Sequence, residues 1–272
     1  KLARGEPYER KLLVDIHQHH LSGTAFDVGA HIGNHSLYLA AVCGLAVHAA
    51  SPDAARPAGL QRARSTARVA ELLAQVQTEH IEGATGIAHT RWATHGAPAV
   101  HNAHPHFSYG PLADGADGRP GRVALVHNGI IENHEELRAQ LQARGYVFSS
   151  QTDTEVIAHL VDSLYDGDLF QAVRAATAQL HGAFAIAVMH RDEPHRVVGA
   201  RAGAPLVVGL GEGENFLASD AMALAGVTDQ IVYLEEGDLV DLQLGRYWIV
   251  GAGGQALAPA QRPVRTVQAF SG

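Results

Sequence analysis

The spacing of apolar positions changes part-way along the chain. Val69, Leu72, Leu73 and Val76 recur at i, i+3, i+4 and i+7, which predicts a helix with one buried face. Leu137 and Leu141 mark a second helix face, which Gly145 can terminate. Val156, Ile157, Leu160, Val161 and Leu164 form a broader stripe behind Thr152 and Asp153, both capping candidates. A further helix is predicted over about residues 169–180. From Ala183 the pattern shifts to short apolar runs at 183–190, 197–200, 206–210, 231–234, 239–242 and 247–250, several of them separated by Gly-rich turns. Residues 123–127 form another short strand pattern. The first fifty residues predict a strand near 24–28, a helix near 34–41 and a strand at 45–49, followed by a loop over 51–59.

Runs of strands beside paired helices argue for an α+β protein of stacked sheets covered by helices, not for an alternating doubly wound sheet. No internal repeat is present. The segment 110–121, rich in Gly, Pro and Asp, is expected to be a solvent loop.

Composition narrows the function classes. The chain has 272 residues, 46% of them hydrophobic, and a formal charge of -8 from 20 Lys+Arg against 28 Asp+Glu. No basic run could neutralise a phosphate backbone, so nucleic acid is not an expected partner. No stretch reaches the ~20 apolar residues of a membrane span, and the opening residues lack the order of a signal peptide. A cytoplasmic protein without a membrane partner is expected. The single cysteine, Cys43, leaves no internal disulfide. Eighteen histidines raise the question of a metal. The densest group, His95, His101, His104 and His106, lies in a Pro- and Gly-punctuated region without a companion carboxylate, so no metal is expected.

Three strings carry candidate chemistry. Residues 86–96, GIAHTRWATHG, put Arg91 and Trp92 at a strand-to-loop transition. An arginine there can hold a carboxylate through two parallel hydrogen bonds, or serve as a plain surface ion-pair residue with Trp92 in the core. Residues 126–133, VHNGIIEN, end a strand in Asn128-Gly129. That pair can present an amide and a backbone N–H together, the two donors of an oxyanion hole, or it can be a tight turn. In 150–155, SQTDTE, Asp153 can cap the following helix or accept hydrogen bonds from a substrate amine.

Together with GENFLASD (213–220) and LEEGD (234–238), these strings occur in the order seen in glucosamine-6-phosphate synthases. Residues 44–250 resemble the glutaminase domain of that family of class II, N-terminal-nucleophile amidotransferases. The resemblance implies a four-layer helix-sheet-sheet-helix sandwich that hydrolyses L-glutamine to glutamate and ammonia. It implies that Arg91 holds the glutamine α-carboxylate and Asp153 its α-amine, and that Asn128 and Gly129 form the oxyanion hole. Trp92 falls in the gating loop, and Thr94 and His95 match positions lining the pocket. No cofactor is implied. In full-length relatives a sugar-isomerase domain receives the ammonia to aminate fructose-6-phosphate, and the pattern leaves room for a homo-oligomer.

The opening of the chain departs from this family, whose nucleophile is a cysteine at the mature N-terminus with a free α-amine as base. Here the sequence begins Lys1-Leu2-Ala3. Cys43-Gly44-Leu45 looks superficially similar, but an internal cysteine has its nitrogen locked in a peptide, and its position matches the family's second strand. Cys43 is therefore read as a small strand residue, the nucleophile stays unknown, and catalysis is expected to be impaired. Residues 23–37, GTAFDVGAHIGNHSL, resemble the first motif of FkbM-type S-adenosylmethionine-dependent methyltransferases. The acidic ribose-binding residue expected after the next strand is missing there. The expected organisation is a chimera: a methyltransferase-like fragment over 1–43 with an atypical strand-helix-strand, the amidotransferase domain over 44–251, and a tail or linker over 252–272. The competing readings are a non-catalytic interaction module and a methyltransferase fragment.

Overall fold

A computed structural model of the chain describes residues 26–27, 39–46, 59–67, 69–81, 85–91, 97–111, 121–225, 227–243, 246–252 and 262–266. In chain order these hold β1 (Phe26–Asp27), β2 (Leu39–Ala46), β3 (Gly59–Arg64), α1 (Val69–Thr78), β4 (Thr85–Arg91) and β5 (His106–Phe107). Next come β6 (Val123–Ile131), α2 (His134–Ala143), α3 (Asp153–Leu164) and α4 (Leu169–Thr177). The remainder is β7 (Gly182–His190), β8 (Arg196–Ala202), β9 (Val207–Leu210), β10 (Asn215–Ala218), β11 (Gln230–Tyr233), β12 (Leu239–Gln243), β13 (Arg246–Val250) and β14 (Val264–Thr266).

Two sheets form among the described residues. The eight-stranded one runs β14-β11-β9-β10-β1-β4-β2-β3 and the six-stranded one β13-β12-β8-β7-β6-β5. The larger sheet is mixed, because β1 lies parallel to both β10 and β4 while its other pairs are antiparallel. The smaller is antiparallel throughout.

Strand β7 shows why the sheets stack. Its side chains alternate between the two faces, and both faces are buried. Phe184, Ile186 and Val188 pack in a core with Val156, Leu160 and Val173 of the helices. Ala185, Ala187 and Met189 pack in a second core with Val208 and Leu217 of the other sheet. A third core, including Ala88, Phe216 and Leu224, joins Leu72 of α1 to the outer face of the larger sheet.

Local chemistry sets the helix ends. Thr152 caps α3, its hydroxyl accepting the N–H of Glu155 at 3.3 Å, as a Thr-x-x-Glu N-terminus favours. Asp168 caps α4 by accepting from Phe170 N–H at 2.9 Å. Helix α2 ends at Gly145, whose φ of 88° belongs to the left-handed region that glycine tolerates.

Several expected elements differ. The helix expected near 34–41 is strand where it is described: Leu39–Ala46 pairs on both sides, with β4 and β3, and those ladder hydrogen bonds outweigh local helix preference. Residues 34–38 lie outside the described residues, as do 24–25, 28, 47–49, 51–58 and most of the expected loop at 110–121. β2 also runs through the expected boundary between residues 43 and 44. Strands β3 and β10 occupy segments without a clear alternation.

Candidate functional site

The site is built where β4 of one sheet approaches β6 of the other. Ile87 packs between the sheets and Ala88 on the outer side, so alternation aims His89 and Arg91 into the space between the sheets. On β6 the same rule puts Val126 and Asn128 on the inter-sheet face, and Leu125 and His127 toward the helices. The imidazole Nε2 of His89 stands 2.8 Å from Oδ1 of Asn128, a direct link between the two sheets.

Gly129 follows with φ of 127°, and a Cβ there would come within 2.0 Å of the Ala183 carbonyl oxygen. Only glycine lets β6 take this path against β7. Asn128 is half-buried and Gly129 exposed, so the pair borders solvent at the end of a buried strand.

Asp153 opens α3 beside this pair, 3% exposed. Its Oδ2 accepts the N–H of Ile131 at 3.0 Å and lies 3.8 Å from Nδ1 of His127. Arg91 is 5% exposed. Burial lowers its pKa, an effect opposed by the Asp153 carboxylate. A cation and an anion, both held by secondary structure, thus lie within electrostatic reach of one another.

A shell of neutral polar groups surrounds them. Thr154 Oγ1 lies 2.9 Å from His104 Nε2 and 3.2 Å from His127 Nδ1, and Thr152 Oγ1 is 3.1 Å from His106 Nε2. The rings of His89 and His104 are 4.2 Å apart. Burial drives the pKa of His89 down to about 3 and those of His104 and His106 well below the usual histidine range, so all three are neutral near pH 7. Glu155 anchors the preceding loop, accepting Ser149 N–H and hydroxyl at 2.8 and 2.7 Å and those of Ser150 at 2.7 and 2.6 Å.

Arg91, Asn128, Gly129 and Asp153 are therefore brought together, whereas Trp92, Thr94 and His95 lie outside the described residues. Cys43 pairs in register with Ile87 of β4, while Leu39 pairs with Arg91. Four residues of strand put Cys43 about 13 Å along the sheet from the Arg91 end. Among the described residues, no three His, Cys, Asp or Glu side chains converge as metal ligands. A cavity of about 480 Å³ opens apart from this charge pair, against Arg174, Phe184, Arg201 and Leu239. His89, His127 and Thr154 are the residues missed in the sequence, and His104 enters there only within the histidine group weighed for a metal. Strand alternation from Arg91 back to His89 was the one available signal for them.

A family profile described as a glutamine amidotransferase domain matches residues 110–226, which include β6, Asn128, Gly129 and Asp153. The chain carries a glutamine amidotransferase domain. Over 213 residues it is 67% identical to a glutamine–fructose-6-phosphate aminotransferase (isomerizing) of Bordetella pertussis, covering 78% of this chain and 33% of that protein. A protein of the same name from Pseudomonas putida is 55% identical over 186 residues, 68% of this chain and 29% of its own length. The chain thus spans about a third of the length of these curated relatives. The chain also superposes, with a TM-score of 0.64 and 19% identity, on glutamine phosphoribosylpyrophosphate amidotransferase from B. subtilis complexed with ADP and GMP, covering 89% of this chain and 46% of that one. That likeness is one of fold, mixed α and β structure. No helix among the described residues of the amidotransferase domain is long and apolar enough to cross a membrane.

Proposed function

We propose that the chain binds L-glutamine between Arg91 and Asp153 and belongs to the glutaminase half of a glucosamine-6-phosphate synthase-like enzyme, which turns glutamine into glutamate and ammonia for amination of fructose-6-phosphate. The observation that carries this reading is the buried guanidinium of Arg91 sharing its electrostatic environment with the Asp153 carboxylate. A free amino acid has one anionic and one cationic end, and a site that offers it a buried cation and a buried anion matches it. The 67% identity to the Bordetella pertussis aminotransferase supports the choice of reaction.

In this reading Arg91 takes the α-carboxylate and Asp153 the α-amine. Asn128 and Gly129 are the donors for the oxyanion formed at the side-chain carbonyl. Trp92, Thr94 and His95 close and line the pocket. Hydrolysis by these 272 residues alone is impaired, because Cys43 is the single cysteine and sits in mid-strand away from Arg91. The successive cores on both sides of each sheet support the four-layer sandwich. A sugar-isomerase part would receive the ammonia in a longer protein. Residues 1–43 remain proposed as a methyltransferase-like fragment and 252–272 as a tail or the start of a linker to a sugar-isomerase part.

Calorimetry with L-glutamine and L-glutamate tests the reading. Arg91→Ala and Asp153→Ala should each weaken binding by roughly 10- to 100-fold, the scale of a lost charge-assisted hydrogen bond. Equal binding by all three proteins ends it. Ammonia release that disappears in Cys43→Ala would overturn the assignment of Cys43 as a strand residue only.

A further inference from the structure

The role given to Asn128 requires its amide to point one way. An asparagine side chain has a donor end and an acceptor end of nearly equal size, and only the NH2 end can stabilise an oxyanion. Something must choose between them. The ring of His89 is 2% exposed, and its Nε2 lies 2.8 Å from Asn128 Oδ1. Its Nδ1 is buried and has no partner among the described residues. A neutral ring carries one hydrogen, and a buried N–H left without an acceptor is rarer and costlier than a bare ring nitrogen. The hydrogen therefore sits on Nε2, which donates to Asn128 Oδ1, and Nδ1 is bare. A reversed Asn128 would bring its NH2 against that N–H, donor to donor.

The ring is itself held in place. His104 packs on it at 4.2 Å with the planes tilted by 35°, and His104 is tied through Nε2 to Thr154 at 2.9 Å. Thr154 belongs to the first turn of α3, beside Asp153. The groups thus form a relay from the helix N-terminus through two rings to the amide.

We propose that His89 is a positioning residue: its Nε2–H fixes the carbonyl oxygen of Asn128 across the two sheets, so that the amide nitrogen is presented to the side-chain carbonyl of the bound ligand. This rests on the reading of Asn128 as an oxyanion donor. In this role His89 acts through Asn128, so its effect is confined to ligands that carry an oxygen at that position.

The test compares L-glutamate with L-norvaline, which has the same α-groups and chain length but no side-chain oxygen. In His89→Phe, glutamate binding should weaken about tenfold, the scale of one misdirected hydrogen bond, while norvaline binding is unchanged. His89→Gln, whose amide can donate from a similar place, should restore most of the loss. Nitrogen-15 spectra of the histidine-labelled wild-type chain should show a protonated Nε2 and a bare Nδ1 at His89, a readout independent of whether the variants fold. An Nδ1–H tautomer overturns the proposal, as does a parallel loss of glutamate and norvaline binding in His89→Phe. If the wild type binds neither ligand, the amino-acid pocket is what fails, and the tautomer still decides the orientation of Asn128.

Discussion

The carboxylate of Asp153 accepts the backbone N–H of Ile131 at 3.0 Å, which joins the first residue of α3 to the end of β6. One side chain therefore serves a tie within the fold and the anionic half of the proposed pocket, and substitution can separate the two. Asp153→Asn keeps an oxygen for Ile131 and loses the charge; Asp153→Ala loses both. Ligand affinity should fall in both variants by roughly one to two orders of magnitude. Stability to urea should fall by about 1–3 kcal/mol in the alanine variant alone, where a buried donor is left unmet. An Asp153→Asn protein that binds glutamine like the wild type would show that charge is not what recognises the amine.

Gly129 makes a second prediction, because its constraint is geometric. The φ of 127° and the 2.0 Å approach to the Ala183 carbonyl leave no room for a methyl group. Gly129→Ala has to push β6 away from β7 or rotate the peptide that carries the proposed oxyanion N–H. A loss of about 2 kcal/mol or more is expected in thermal or chemical unfolding. The N–H should move as well, so glutamate binding falls more than norvaline binding. Unchanged stability would mean that the left-handed turn is not maintained in solution.

The parts legible in the sequence are those where local pattern and burial agree. The apolar stripe from Val156 to Leu164 reads as α3 because every third or fourth residue meets the core over β6 and β7, and Thr152 reads as its cap because the spacing to Glu155 is local. Strand β3 was not legible. It is the edge strand of its sheet, and Arg62 and Arg64 break its apolar pattern. Those arginines are occupied by distant groups: Arg62 donates to the Pro105 carbonyl at 3.3 Å and Arg64 to the carbonyls of His101 and Ala103 at 3.2 Å. Arg91 and Asp153 entered through a family resemblance, and alone each kept a plain structural reading. The histidine shell stayed hidden because a histidine in a sequence carries no mark of burial, and His89, His104 and His127 meet only after two sheets have stacked.

The loop before α3 should depend on Glu155 more than on any apolar residue near it. Its carboxylate is fully buried and accepts four hydrogen bonds from Ser149 and Ser150. Glu155→Ala leaves two backbone N–H groups and two hydroxyls without that acceptor. Removing one side of such a network costs about 3–5 kcal/mol. The unfolding midpoint in urea should drop accordingly. Hydrogen exchange should rise first at Ser149, Ser150 and Thr152, before it does in β7. A shift below 1 kcal/mol would mean that water replaces the carboxylate without penalty.

The neutral histidines make stability depend on pH in a defined direction. Burial lowers the pKa of His89 to about 3 and those of His104 and His106 well below the ordinary value near 6.5, while the unfolded chain titrates them near that value. Between the two values the unfolded state binds more protons than the folded one, so stability rises with pH there. The full contribution is present above about pH 6.5 and is lost as pH falls, by about 1.4 kcal/mol per unit for each group once well below that point. The surroundings reinforce the sign. Arg91 and the neighbouring rings repel added positive charge, Arg62 and Arg64 do so at His106, and the opposing carboxylates of Asp153 and Glu155 are already engaged by Ile131 and the two serines. Urea unfolding at pH 7.5, 6.5, 5.5 and 4.5 should therefore show little change over the first step and a steep decline over the next two. His159 and His190 are lowered by burial as well, so His104→Gln removes one of five such proton sites among the described residues and should flatten that decline by about a fifth. A wild-type profile level from pH 7.5 to 4.5 would mean that water reaches these rings in the folded protein, and the closed shell around Arg91 and Asp153 would have to be abandoned.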